Sequence, residues 1–261
     1  MSYSFPDAMV IQASGFGPAM TARQAIQRAR KVILDFETIS PWRRPFAVSG
    51  STKETNRMPI AEDLSDFDEV VMRALQSRED VRYYNENDPD NWRLTPDSYS
   101  PYGFGEIFSD AHAVKGYSGS ISISLDSAGA ERSVSHHNSV YSVRIPFYAH
   151  DQINAAWSKP NVVYSIFNYL IDNYNPLKCV VFSTEQALRI SQAGRDYTLG
   201  WLNYSRNPTV AGVFTKTGKA VPYRAGVLLK LGDDVSILTD PKTEAELIEI
   251  GQLLSSAGVT R

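Results

Sequence analysis

Two kinds of hydrophobic periodicity follow one another along this chain in irregular order, and that order limits the folds open to it. Apolar residues recur at helical spacing after Thr21, over 62–77, after Pro160 and after Asp240. Thr21 and Asp240 are suitable N-caps, and proline is favoured in the first turn of a helix. The sequence therefore predicts about four helices.

The other apolar segments have the spacing or the length of β-strands. Residues 121–125 and 141–147 alternate between apolar and polar side chains, which predicts an antiparallel pair. Further strands are expected at 9–11, 179–182, 199–204, 226–231 and 235–238, the last two joined by a hairpin turn at 232–234. The polar residues 84–118 are expected to form a long connection.

Helices and strands are mixed without strict alternation, and no linker composition interrupts them. This arrangement favours an α+β fold over a doubly wound parallel sheet. We therefore predict a single domain over 1–261, with a largely antiparallel sheet and about four flanking helices.

Cysteine usage and hydropathy favour a cytoplasmic protein. Cys179 is the only cysteine, so no intramolecular disulfide can form, as expected in a reducing compartment. It lies in an apolar run and is expected to be a buried core thiol. The first residues lack the pattern of a signal peptide, and no apolar stretch approaches the roughly 20 residues of a membrane helix. We therefore expect a soluble protein without a membrane partner.

The net charge of −3 conceals a strong asymmetry. Residues 1–60 carry a net charge of +4, whereas 61–110 combine thirteen acids with four arginines and no lysine, a net of −9. A nucleic-acid-binding protein is expected to concentrate basic residues instead. An acidic segment suits a basic protein surface; a solvated helix and loop without a partner is the alternative.

Four residues form the most enzyme-like pattern in the sequence: Asp110, His112, His136 and His137. Adjacent histidines on a strand point to opposite faces, so the pair does not readily bind one metal ion. The spacing matches no common metal or hydrolase motif. We therefore expect polar loop residues and no cofactor, with a small hydrolase or metal-dependent enzyme as an alternative function.

Several short motifs occur in the order found in a known family. They are Ile39-Ser40-Pro41-Trp42, Gly50-Ser51-Thr52-Lys53-Glu54, Val143-Arg144-Ile145-Pro146, Asn175-Pro176 and Gly200-Trp201-Leu202-Asn203-Tyr204. In this order the chain resembles, over nearly its whole length, the immunity protein 52 family of bacterial polymorphic toxin systems. The Gly-Trp-x-x-Tyr motif is the most specific of these. The pattern departs at Arg43-Arg44 and at Leu177-Lys178, where aromatic residues are expected.

The resemblance implies a non-enzymatic cytoplasmic protein that binds and neutralises a cognate toxin. Toxins paired with the family are commonly nucleases of restriction-endonuclease-like fold, often delivered by a type VI secretion system. Because a nuclease needs a basic surface to hold phosphates, we predict that the acidic segment contacts that surface. The predicted contact residues combine carboxylates with aromatic anchors: Asp63, Asp66, Asp68, Glu69, Tyr83, Tyr84, Glu86, Asp88, Asp90 and Trp92. A structural or assembly protein of a phage or secretion apparatus is a further alternative.

Overall fold

The computed structural model describes residues 7–77, 94–100, 103–110, 121–128, 139–148, 152–153, 155–192 and 197–259. Its helices are α1 (Ala22–Ile39), α2 (Phe67–Gln76), α3 (Pro160–Tyr174), α4 (Thr184–Gln192), α5 (Pro208–Lys216) and α6 (Pro241–Ser256). Its strands are β1 (Ala8–Phe16), β2 (Phe46–Ser49), β3 (Met58–Pro59), β4 (Gly105–Asp110), β5 (Ser122–Asp126), β6 (Ser139–Tyr148), β7 (Gln152–Ile153), β8 (Lys178–Ser183), β9 (Leu202–Ser205), β10 (Ala220–Tyr223) and β11 (Gly226–Lys230). The fold is α+β with antiparallel strand pairs, as predicted.

Contacts divide the chain into two compact units. The discontinuous unit consists of Met1–Ser14 and Arg144–Arg261, and the central unit is Gly15–Val143. The single domain expected from the composition stays a prediction.

The sheet of the discontinuous unit has the strand order β10-β11-β9-β8-β1. In the pairing of β1 with β8, Met9 lies opposite Ser183 and Ile11 opposite Val181. Every residue of β9 is buried, as expected for an inner strand covered on both faces. One apolar cluster joins α4, α5 and α6 to the sheet: Ile190, Leu199, Val210, Val213, Phe214, Leu229, Leu247, Ile250 and Leu254.

The sheet of the central unit has the order β5-β4-β2-β3, with α2 against β2, β3 and β4. The rings of Phe67 on α2 and Phe108 on β4 stack with centroids 5.8 Å apart. Buried aromatic pairs of this kind contribute about 0.5–1.5 kcal/mol beyond the area they bury. This contact fixes α2, and the acidic residues around it, on the sheet.

The structure confirms several elements expected from local signals. Thr21 caps α1 in a capping box with Gln24. The Asp240 carboxylate accepts hydrogen bonds from the first backbone N–H groups of α6. Pro160 begins α3, which ends at Asn175 in the left-handed conformation. The expected strands at 121–125 and 179–182 correspond to β5 and β8. Strand β6 lies beside β5.

The helix expected over 62–77 begins only at Phe67. Leu64 has a φ of 60°, in the left-handed region, so the helix cannot extend back through it. The long connection expected over 84–118 is also wrong in part, because β4 lies within it.

The hairpin predicted at 232–234 is wrong. Strand β11 pairs with β10, and Val235–Thr239 form a 3₁₀ helix capped by the Asp234 side chain. The strand expected at 199–204 begins only at Leu202, although Trp201 is fully buried as expected. The sequence pattern does not predict the helices α4 and α5 or the strands β2, β3, β7 and β10.

Candidate partner-binding surface

The structure brings four of the predicted contact residues together at the start of α2. Asp63 and Asp66 lie in the turn before the helix, and Asp68 and Glu69 lie in its first turn. The other six lie outside the described residues: Tyr83, Tyr84, Glu86, Asp88, Asp90 and Trp92. The described part of the surface therefore consists of these four carboxylates and the residues that contact them.

Residues 61–66, which we call the acidic turn, are fixed by their own side chains. The Asp66 carboxylate accepts a hydrogen bond from the Ala61 N–H at 2.8 Å. The Asp63 carboxylate accepts from the N–H of Ser65 at 3.0 Å and from its hydroxyl at 2.7 Å. Leu64, between them, is buried and anchors the turn to the core. Two of the predicted contact residues therefore also determine the local backbone.

The hydrogen bonds at Asp63 also affect its ionisation. The Ser65 hydroxyl and then its backbone N–H stabilise the ionised carboxylate and lower the pKa of Asp63 below its ordinary value. Asp63 is exposed. It therefore presents a negative charge to solvent throughout the neutral pH range.

Arg44 ties the acidic turn to the end of α1. Its guanidinium donates to Glu37 Oε1 at 2.8 Å and to Glu37 Oε2 at 2.9 Å, a bidentate pair. It also donates to the backbone carbonyl of Glu62 at 2.9 Å. The hydrogen bond to Glu37 raises the pKa of Arg44, so the cation is permanent. One side chain thus connects a helix C-terminus to the segment that carries the carboxylates.

Two acids of the 61–110 segment pair with the basic face of α1. Asp68 lies 3.7 Å from Arg30, and Asp97 lies 3.3 Å from Arg23. These pairs are largely exposed, and such pairs contribute about 0–1 kcal/mol each to stability. Their main effect is on charge, because part of the asymmetry seen in the sequence is neutralised within the central unit.

Three carboxylates remain outward-facing at this end of α2: Glu62, Asp63 and Glu69, all exposed. Within the described part of the chain none of the three forms an ion pair. We call them the exposed carboxylates. Unlike the predicted set, this group includes Glu62. It leaves out Asp66, whose carboxylate accepts a hydrogen bond from the Ala61 N–H, and Asp68, which pairs with Arg30.

The roles of Arg44, Glu37 and Glu62 are not predicted by the sequence pattern. A signal was present at Arg43-Arg44, where two adjacent basic residues stand at a position for which the resemblance predicts an aromatic residue. In the structure the aromatic contact at this point is supplied by Trp42 and Phe46, whose rings stack at 5.2 Å. Arg44 is therefore not needed for this aromatic contact and instead donates a hydrogen bond to the acidic turn.

The residues of the alternative enzyme site fall mostly outside the part of the chain that the structure describes. Asp110 is the last residue of β4, but its side chain is not described. His112, His136 and His137 lie outside the described residues. Among the side chains that the structure describes, no group of His, Cys, Asp and Glu could hold a metal ion. Cys179 is fully buried, and burial raises the pKa of its thiol, so it is a core residue as predicted.

No family model matches the chain, and no curated protein matches its sequence. Among solved structures, a Pseudomonas aeruginosa T6SS protein aligns with a TM-score of 0.49 and 9% sequence identity, covering 96% of this chain and 72% of that one. Among the described helices, none is both long and apolar enough to cross a bilayer.

Proposed function

We propose that this protein is a cytoplasmic immunity protein that binds and neutralises a cognate bacterial toxin. The observation that carries the proposal is the group of exposed carboxylates, Glu62, Asp63 and Glu69, at one end of α2. Glu62 and Asp63 lie on the acidic turn, which Arg44 and Asp66 hold from two sides, and Glu69 lies in the first turn of α2. The resemblance to the immunity protein 52 family supplies the class of partner.

The proposed partner is a nuclease effector of a type VI secretion system. A nuclease needs basic groups to hold the phosphates of its substrate, and an acidic protein surface can compete for those groups. Opposite net charges on the two surfaces also speed association, since they steer the encounter over about one Debye length, roughly 8–10 Å at physiological salt. The proposed activity therefore needs no catalytic residue and no cofactor.

A pre-formed turn favours such a function physically. Side chains and loops that become ordered on binding cost about 0.5–1.5 kcal/mol each. The acidic turn is already ordered by hydrogen bonds to Ala61, Ser65 and Arg44, so this cost is reduced. Asp63 is held in its ionised form as well.

The first experiment is co-expression of the protein with the product of the neighbouring gene, followed by a pull-down and a growth assay. Rescue of growth together with a stable complex is the expected result. If the neighbour is verified as toxic and is neither bound nor neutralised, the immunity function is wrong for that pair. Turnover of a substrate by the isolated protein would support an enzyme instead.

Charge reversal tests the surface separately from the function. The double variant Glu62→Lys/Glu69→Lys removes two exposed carboxylates whose side chains form no ion pair in the described structure. Reversal of two interfacial charges is expected to weaken binding by about 1–2 kcal/mol, which is about a 5- to 30-fold increase in Kd. The increase should shrink at high salt, because exposed charges are screened.

The matched control is Glu54→Lys/Glu249→Lys. Both residues are exposed, and the change in net charge is the same. If the control weakens toxin binding as much as the test variant does, the effect is one of net charge and the proposed surface is wrong. If a folded test variant binds the toxin unchanged while the parent complex is stable, the immunity function stands and another surface makes the contact.

A further inference from the structure

We draw no further inference here: the strongest candidate, the open groove of about 450 Å³ between α1 and α2 lined by Gln27, Arg30, Lys31, Leu34, Asp35 and Asp68, holds two carboxylates beside two cations of its own, so that charge complementarity selects no occupant and nothing in the structure shows what covers it.

Discussion

Adding one methyl group at each of two glycines is expected to change stability in opposite directions. Gly200 lies beside β8, just before the buried Trp201. A Cβ at this position would overlap the carbonyl oxygen of Val181 and lie 2.7 Å from the Cα of Phe182. Both neighbours are backbone atoms of β8, so no rotamer change can accommodate the methyl group.

The cost at Gly200 follows from the contacts that hold it. The Gly200 N–H donates to Asn203 Oδ1 at 2.8 Å, and the Trp201 N–H donates to the Val181 carbonyl at 2.7 Å. Overpacking a core costs about 1–3 kcal/mol, and each buried hydrogen bond that lengthens adds up to about 1 kcal/mol. We therefore expect Gly200→Ala to lower the free energy of unfolding by about 3 kcal/mol or more.

Gly212 provides the matched control, because an added methyl group at this position has open space around it among the described residues. It lies inside α5, and among the described residues no atom outside the backbone of that helix turn comes within 4 Å of an added Cβ. Alanine is a better helix former than glycine by about 0.8–1 kcal/mol. Gly212→Ala should therefore raise the free energy of unfolding by about 0.5–1 kcal/mol.

Urea denaturation followed by circular dichroism measures both changes. In a chain of this size a change of 1 kcal/mol moves Tm by about 2–4 °C, so thermal unfolding gives an independent reading. A Gly200→Ala variant as stable as the parent would refute the steric argument at β8. Destabilisation by Gly212→Ala would show that this face of α5 is not open.

Three further predictions concern single side chains. Arg44→Lys keeps the charge but loses the bidentate pair with Glu37, so amide hydrogen exchange in residues 61–66 should accelerate; unchanged exchange would contradict the anchoring role. Cys179 is buried with its thiol pKa raised, so a thiol reagent should label it only after unfolding in urea, and rapid labelling of the native protein would contradict its burial. The side-chain hydrogen bond that Asp240 accepts lowers its pKa, so its contribution to stability is complete above the unfolded carboxyl pKa, about 3.9, and is lost as pH falls through the lower native pKa. The stability difference between the parent and Asp240→Asn should shrink on acidification, and a difference that grows instead would show the opposite sign of linkage.

Elements with strong local signals could be predicted from the sequence. The caps at Thr21 and Asp240 and the proline that begins α3 act within a few residues of the helix they start, so the pattern contains the information needed. The start of α5 carries the same kind of signal, because Asn207 caps it and Pro208 follows. Its apolar run is short, so periodicity alone does not predict a helix at this position.

The hairpin of β10 and β11 could not be predicted, because its turn lacks the glycine and asparagine that short hairpin turns favour. Arg224 occupies the turn with a φ of 49°, a conformation that costs a non-glycine residue about 1–2 kcal/mol. Its guanidinium donates to both carboxylate oxygens of Asp172, at 2.8 and 3.1 Å, and lies 5.3 Å from the Tyr223 ring centroid. The ion pair with Asp172, which lies 52 positions away in the sequence, favours a turn that local propensity disfavours.

The concentration of carboxylates near the start of α2 could be predicted from the sequence, but their separate local contacts could not. The distribution of charge along the sequence indicates the 61–110 segment, but it does not distinguish one carboxylate from another. The different roles of Asp66 and Asp68 depend on a backbone N–H and on a cation of α1. Both roles are set by tertiary structure, which the sequence pattern does not contain.

The pairing of β1 with β8 has a consequence for the order of events during synthesis. Asp7 bonds the Ser183 hydroxyl across a separation of 176 residues. At about 5–20 residues per second, a ribosome delivers β8 roughly 10–35 s after β1. During that time β1, whose Met9 and Ile11 are buried in the native structure, lacks the strand with which its backbone pairs. The discontinuous unit is therefore completed late, and the edge of β1 that pairs with β8 in the native sheet stays exposed on the nascent chain until β8 has been made.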